Sequence, residues 1–397
     1  MEQPGPTCGE YSEMSVAASQ SEIRTLRKKV VLSLQKQGFI FDRDKISLPD
    51  GIDKGGIRRL HHEAVQTRIE RSKKGLFRRE ARLLSYIAAG REVKPDRICP
   101  LLVEVEPETE NELLFRYASL HWSIPVSSGY GRRLRFLIFD ESNSKLIGLF
   151  GLGDPVFSLA ARDNWIGWDK NQRRSRLKHV MDAFVLGSVP PYSYLLCGKL
   201  IAMLLASNEV REGFKKKYQG QVSLIKGKNL DGRLVLITTT SALGRSSIYN
   251  RVNYDERALL ERIGYTSGSG DFHFSNGLYA ELSQFATLHC EPTAKQKRWG
   301  TGFRNRREIV RKVLPLLGLP QKLIYHQVKR EVFALPLARN TNKFLRGEHE
   351  RMQWYDMPTG AIFEQFKDRW LLGRAERDKR YLSFEPESYA LWLNKEN

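Results

Sequence analysis

Two apolar stretches near the middle of the chain decide the fold: MDAFVLGSV, residues 181–189, and RLVLITTT, residues 233–240. Both are short and almost continuously apolar, which is typical of strands buried on both faces of a sheet. Pro190-Pro191 ends the first stretch, and we expect one long helix from residue 195 to about residue 218. Strand, helix and strand in this order predict the centre of an α/β sheet.

The neighbouring stretches predict further strands around this centre. Residues 132–140 (RRLRFLIFD) and 146–152 flank the turn ESNSK, so we expect a hairpin there. After the second apolar stretch, residues 246–250 predict the start of a short helix. The predicted fold class is α/β (α+β): a mixed central sheet, with a helical region before it and a basic region after it.

This order of elements resembles the GNAT acyltransferase fold. In that fold a central strand splays from its neighbour, and the next helix presents backbone N–H groups to a pyrophosphate. LLERIGY, residues 259–265, is similar to the usual GNAT ending, in which a short helix precedes GY. The acetyl-CoA loop of the fold, Q/R-x-x-G-x-G/A, is replaced here by YSYLLCGKL, which disfavours a standard acetyltransferase. The cofactor is therefore unknown, and enzymatic activity stays an open question.

A narrower resemblance rests on several motifs that occur in order. These are ARDNWIGWD at 161–169, the stretch 190–200, SALGRSSIYNRVNY at 241–254, the stretch 263–268 and the stretch 330–340. Together they are similar to the DruA family of the Druantia anti-phage defence system, over about residues 20–350. The resemblance implies a role in bacterial antiviral defence, beside a large helicase-like protein and other subunits of the system.

Length and composition divide the chain into several regions. With 397 residues it exceeds one ordinary domain. We expect a disordered tail at 1–19, a helical basic region at 20–97, the GNAT-like core at 98–290 and a basic region at 291–397. The polar N-terminus has no apolar signal segment, so we expect a cytoplasmic protein.

The charge indicates a class of partner. A formal net charge of +20 attracts polyanions, and nucleic acid, with DNA favoured, is the expected partner. No stretch approaches the ~20 apolar residues that a membrane helix needs, so we expect no membrane partner. The four cysteines are scattered and the histidines lack ligand spacing, so we predict no metal site.

The first candidate site is the motif that contains Arg162, Asp163, Trp165 and Trp168. The tryptophans have faces on which a base can stack, and Asp163 is a candidate general base. The alternative is a core strand in which the tryptophans fill space and Asp163 pairs with Arg162.

The second candidate is Gly198-Lys199, at the start of the long helix. A glycine at a helix N-terminus suits a phosphate. The alternative is a helix start that is merely closely packed.

The third candidate is the stretch from Arg245 to Arg251, which follows a buried strand. Ser246 and Ser247 can cap a helix while both arginines stay free to clamp a phosphate. Tyr249 is a candidate stacking surface or acid. The alternative is a capped structural turn.

The fourth candidate is the basic segment 295–312, where cations alternate with Trp299, Phe303 and glycines. This composition suits backbone contact plus base stacking, and the alternative is a charged face that is merely solvated. The cations assigned to binding are Arg298, Arg304, Arg306 and Arg307.

The leading hypothesis is a component of antiviral defence that binds nucleic acid, with modification of that nucleic acid as an extension. One alternative is an acyl-CoA-dependent transferase acting on nucleic acid or protein. The other is a non-catalytic adaptor whose charge docks an acidic partner.

Overall fold

The computed structural model describes residues 18–42, 45–126, 131–222, 229–275, 277–293, 299–300 and 303–393, without the side chains of residues 303 and 304. Of the expected tail, only Ala18 and Ser19 belong to the described residues. Ser19 accepts a hydrogen bond from the backbone N–H of Glu22 and so caps the first helix.

The helices, in chain order, are α1 (Gln20–Lys36), α2 (Lys54–Leu76), α3 (Glu80–Leu84), α4 (Glu110–Ala118), α5 (Ala160–Ile166), α6 (Lys170–Arg176), α7 (Cys197–Leu204), α8 (Asn208–Tyr218), α9 (Leu278–His289), α10 (Phe303–Leu316), α11 (Thr341–Leu345), α12 (Thr359–Phe366) and α13 (Leu372–Arg377). A π-helical turn, Lys367–Leu371, joins α12 to α13.

The strands are β1 (Ile40–Asp42), β2 (Lys45–Ser47), β3 (Pro100–Glu104), β4 (Arg133–Asp140), β5 (Lys145–Gly153), β6 (Val180–Ser188), β7 (Leu236–Thr240), β8 (Asn253–Tyr254), β9 (Arg257–Ala258), β10 (Glu261–Tyr265) and β11 (Glu331–Pro336). The mixed α/β class is therefore confirmed.

The contacts divide the chain into two units. The first unit contains the described residues up to Ala64 and those of Gly268–Gln327, and the second contains Val65–Ser267 and the described residues from Val328 onward. The chain leaves the first unit inside α2 and returns to it before α9.

In the first unit, α1 packs against α9, and α9 packs against α10. The apolar spacing of Leu26, Val30 and Leu34 gives α1 one buried face.

The second unit contains a seven-stranded sheet in the order β10-β11-β7-β6-β5-β4-β3. Every neighbouring pair is antiparallel except β6 and β7, which are parallel. α7 packs against β5 and β6, and all eight of its residues are buried. The expected hairpin is β4–β5, and the two stretches that decide the fold contain the central strands β6 and β7.

The parallel strands β6 and β7 are paired over only the first half of β6. Their pairing runs from Val180 opposite Leu236 to Ala183 opposite Thr239. Beyond Ala183, β6 continues to Ser188 and pairs with β5 alone. The pairing stops there because β7 ends at Thr240, one residue after its last partner of β6.

Two local expectations were wrong. The long helix expected at 195–218 is two helices, because Ser207 has an extended backbone and accepts the N–H of Val210, which caps a new helix. The short helix expected before Gly264-Tyr265 is instead strand β10, which pairs with β11 with a bulge between Arg262 and Gly264.

Among the described residues, none of the helices combines the length and the apolar character needed to cross a membrane.

Candidate functional site

A cavity of about 1130 Å³ lies in the second unit, beside the end of β6 and the start of α7. It is lined by the end of β6, the turn into α7, the segment after β7, the π-helical turn and the residues that follow α4. Its cationic lining residues are Lys199, Arg251 and Arg369, and none of its described lining residues is Asp or Glu. The electrostatics of this lining favour an anionic ligand.

Gly198 and Lys199, the second candidate, both line the cavity from the first turn of α7. A Cβ placed on Gly198 would lie 3.4 Å from Cδ1 of Ile248 and 3.5 Å from Oγ of Ser188. The glycine therefore sits between the end of β6 and the segment after β7. The backbone N–H of Lys199 donates to the carbonyl oxygen of Leu196 at 2.8 Å, so the side chain of Lys199 is the group of this turn that can meet an anion.

The ammonium group of Lys199 is a buried cation without a counter-ion. The residue is 8% exposed, and Nζ lies 4.7 Å from the ring centroid of Trp370. Within the described part of the chain, no carboxylate lies at ion-pair distance from it. Burial, followed by repulsion from Arg251 and Arg369, lowers the pKa of Lys199 below its usual value.

The third candidate contributes Ser247 and Arg251 to the cavity lining. Ser246 acts as a cap: its Oγ accepts hydrogen bonds from the backbone N–H groups of Ile248 and Tyr249, at 3.3 and 3.0 Å. The helix expected here is a single 3₁₀ turn, Tyr249–Arg251.

The side chain of Tyr249 is packed against the hydrophobic core, which does not suit an exposed acid. Its ring packs edge-on against Phe333, with centroids 5.3 Å apart. Burial raises the pKa of its phenol, although a hydrogen bond with Thr239 acts in the opposite direction. These contacts favour a structural role.

Glu331 holds the same segment in place, and sequence reasoning missed it. This fully buried carboxylate accepts hydrogen bonds from the N–H of Ser246 at 2.8 Å and from Nδ2 of Asn250 at 3.4 Å. Nε of Arg245 lies 3.8 Å from the other carboxylate oxygen. Glu331 is the first residue of the apolar strand β11. Its charge in this apolar stretch is the one feature of the sequence that could have indicated a role.

The first candidate forms a buried ion-pair cluster outside the cavity. Asp163 accepts hydrogen bonds from Nε and Nη2 of Arg162 at 2.9 and 2.8 Å, from Nε1 of Trp168 at 3.0 Å and from Nη1 of Arg173 at 2.9 Å. Burial alone would raise the pKa of Asp163, but Arg162, together with the hydrogen bonds from Leu159 and Trp168, lowers the pKa below its usual value. The indole N–H of Trp165 donates to Glu261 at 2.9 Å.

These contacts agree with the structural alternative for this motif, although its backbone is helix α5 and the following turn rather than a strand. The carboxylate oxygens of Asp163 are saturated with donors and Arg162 is wholly buried. None of Arg162, Asp163, Trp165 and Trp168 lines the cavity.

The described residues of the fourth candidate belong to the first unit, whereas the cavity residues belong to the second. Arg298 and the side chain of Arg304 lie outside the described residues. Nε of Arg306 lies 2.7 Å from Asp271, and its guanidinium stacks over Tyr279 at 4.2 Å. Arg307 lies on α10. The described residues contain no group of three or more His, Cys, Asp or Glu side chains placed to hold a metal ion.

The aromatic lining was also missed by sequence reasoning. His121, Trp122, Trp370 and Tyr389 all line the cavity, and the rings of His121 and Tyr389 stack at 3.6 Å. The π-helical turn places Arg369 and Trp370 there, and such turns often occur at functional sites. In the sequence, only the adjacent pair Arg369-Trp370 indicated this part of the cavity lining.

Comparison with known proteins confirms the narrower resemblance. The family described as Druantia protein DruA matches residues 52–347. A relative from Escherichia coli (strain UMEA 4076-1), named Druantia protein DruA, is 43% identical over 357 residues, which cover 90% of this chain and 88% of the relative. No solved structure matches. The chain therefore belongs to the DruA family of Druantia proteins.

Proposed function

We propose that this DruA-family protein serves Druantia anti-phage defence by binding nucleic acid, whose phosphates are held in the cavity by Lys199, Arg251 and Arg369. The observation that carries the proposal is Lys199, a residue 8% exposed that lines the cavity and has no carboxylate of a described residue at ion-pair distance. We expect it to work with other Druantia subunits, including a helicase-like protein.

The energetics of Lys199 support an anionic ligand. A buried charge without a partner costs free energy, and two neighbouring arginines add repulsion. A phosphate group would supply the missing counter-charge to all three cations. The cost of keeping Lys199 charged in the empty cavity is then offset when the ligand binds.

Exposed cations elsewhere on the second unit support contact with a polymer. Lys74, Arg78 and Arg79, at the end of α2 and in the turn after it, are exposed and form no ion pair with a described residue. Cations of this kind add salt-dependent, sequence-independent affinity for a phosphate backbone. The net charge of +20 would also steer a polyanion to the protein.

The proposal is tested by fluorescence anisotropy with a labelled 20-nucleotide DNA at several salt concentrations. Each phosphate contact contributes a slope of about −0.9 for duplex and about −0.7 for single strands to a plot of log affinity against log salt. We expect Lys199→Gln to lower affinity and to reduce the slope by about one contact. Lys216→Gln, on the exposed face of α8, is the matched control for the charge change.

Identical binding curves for Lys199→Gln and Lys216→Gln would contradict the proposal, because they would leave the cavity without a specific role in binding.

A second candidate is acyl transfer from acyl-CoA to nucleic acid or protein. The helix α7, which follows the central strand β6 and lines the cavity with its first turn, is the feature that supports this candidate. The single glycine in YSYLLCGKL counts against it. Titration calorimetry with CoA, and a mass increase on DNA or protein incubated with acetyl-CoA, would distinguish this activity from binding alone.

A further inference from the structure

We infer that the cavity admits an unpaired nucleotide, so that the protein selects single-stranded or locally unpaired DNA over an intact duplex. The inference rests on the proposed function and adds to it the form of DNA that reaches Lys199.

The depth of Lys199 is the first argument. Arg251 and Arg369 are exposed, whereas Lys199 is 8% exposed and its ammonium is reached from within the cavity. A duplex is a convex cylinder with its phosphates on the outside, and those phosphates can touch exposed arginines. A phosphate touches the recessed ammonium only if its strand leaves the cylinder and enters the cavity.

The aromatic wall is the second argument. Trp122 lines the cavity, is half-buried and packs against Gly187, where an added Cβ would lie 3.0 Å from Cζ2 of the indole. No ring or cation of the described residues stacks on Trp122. Trp370, by contrast, already has the ammonium of Lys199 at 4.7 Å and the guanidinium of Arg369 at 4.9 Å.

Aromatic side chains beside cations are the features with which proteins bind single strands, since an unpaired base exposes its face for stacking. A base within a duplex is already stacked on both sides. Trp122 is therefore suited to a base that has left its stack, and Lys199 to the phosphate of the same strand.

The size of the cavity is the third argument. Its volume of about 1130 Å³ exceeds the usual range of about 300–1,000 Å³ for small-molecule sites. A nucleotide with part of the adjoining backbone is a ligand of the right size and charge. A free nucleotide has the same chemistry as a nucleotide within a DNA strand. The experiment must therefore distinguish these two ligands.

The test compares anisotropy for three labelled probes: a 20-nucleotide oligo-dT, a blunt DNA hairpin, and the same hairpin with a single-stranded tail. We expect the full-length protein to bind oligo-dT and the tailed hairpin more tightly than the blunt hairpin. Trp122→Ala should weaken oligo-dT binding by about 5- to 150-fold, the range for loss of one base stack, and leave the blunt hairpin unchanged. Trp122→Phe should restore most of the loss.

A second variant tests the cavity without removing the packed side chain of Trp122. Ser247 lines the cavity with an exposed side chain, so Ser247→Glu adds a negative charge without disturbing the core. It should weaken oligo-dT more than the blunt hairpin, while thermal melting stays that of the unmodified protein.

The outcomes separate this inference from the proposed function. Equal losses on all three probes for Lys199→Gln and Ser247→Glu would overturn the preference for unpaired DNA but keep phosphate binding in the cavity. Binding that none of these variants changes would overturn both. Tight binding of thymidine monophosphate, with no binding of oligo-dT, would overturn the inference in favour of a free nucleotide ligand.

Discussion

Replacing Lys199 by methionine should stabilise the unbound protein and weaken its binding to DNA at the same time. Methionine keeps most of the apolar stem that packs in the first turn of α7, and it removes the ammonium group. The two opposite effects follow because the charge faces a cavity rather than a carboxylate.

The magnitude follows from the contacts of the ammonium group. Its interaction with the ring of Trp370, at 4.7 Å, contributes about 1 kcal/mol that the variant loses. Relief of the burial cost and of the repulsion from Arg251 and Arg369 recovers about 2 kcal/mol. The free energy of unfolding should therefore rise by about 1 kcal/mol, which raises the melting temperature by about 1–2 °C.

Binding should change in the opposite direction. A hydrogen bond to a charged group contributes about 1.5–3 kcal/mol, so the affinity for DNA should fall by about 10- to 150-fold.

The pH dependence gives an internal check. Burial and the two arginines lower the pKa of Lys199 in the folded state, so the charged form destabilises the fold at neutral pH. That cost is present below the folded pKa and disappears as the pH rises through it toward the unfolded value. The stability gain of Lys199→Met should therefore shrink at alkaline pH.

The assays are thermal melting and denaturant unfolding across pH, with DNA anisotropy on the same preparations. Lys217→Met is the matched control, because Nζ of Lys217 lies 2.6 Å from Glu104 in a partly buried ion pair. The control should lose up to about 1 kcal/mol of stability. If Lys199→Met also lowers the melting temperature, the ammonium group is a structural contact and the reasoning fails.

Four further variants test other parts of the structure. Gly198→Ala should raise stability by about 0.5–1 kcal/mol, because the added Cβ makes ordinary contacts in a helix, and should weaken DNA binding by narrowing the cavity; a lower melting temperature would contradict this. Glu331→Gln should lose about 1–3 kcal/mol of stability and speed hydrogen exchange in the segment after β7, since the buried acceptor for that segment is weakened; unchanged exchange would show that another contact holds it. Burial lowers the pKa of His273 to about 4, so stability should fall as the pH drops from about 6.5 toward 4, by up to about 3 kcal/mol in total, and His273→Phe should flatten the curve. Asp163→Asn should lower the free energy of unfolding by more than about 2 kcal/mol, because it leaves buried arginines without a counter-charge, yet leave DNA affinity of the folded protein unchanged.

Much of the sheet was predictable because its signals are local. Each of the strands β4, β5, β6 and β7 is one continuous stretch of sequence. The hydrophobic pattern of each stretch predicts a strand without reference to the strands with which it pairs. The break between α7 and α8 was missed, because Ser207 ends one helix and caps the next within a stretch that is helical on both sides.

The candidate site was predictable in part. The start of α7 and the segment after β7 were singled out because glycines, serines and cations follow buried strands there. Trp122, Glu331 and Trp370 were missed, since each lies far along the chain from those segments and resembles an ordinary core or surface residue in its own neighbourhood.

By itself the sequence determined the α/β class, the surplus of positive charge and membership of the DruA family, because composition, periodicity and ordered motifs are properties of the linear chain. Only the tertiary structure decided which cations are already neutralised and which are not. Arg162 meets Asp163 in a buried cluster, while Lys199 meets a cavity lined by arginines and aromatic rings. The physical reason is that the free energy of a charge depends on what surrounds it in space, and for Lys199 those surroundings come from segments that are far apart in sequence.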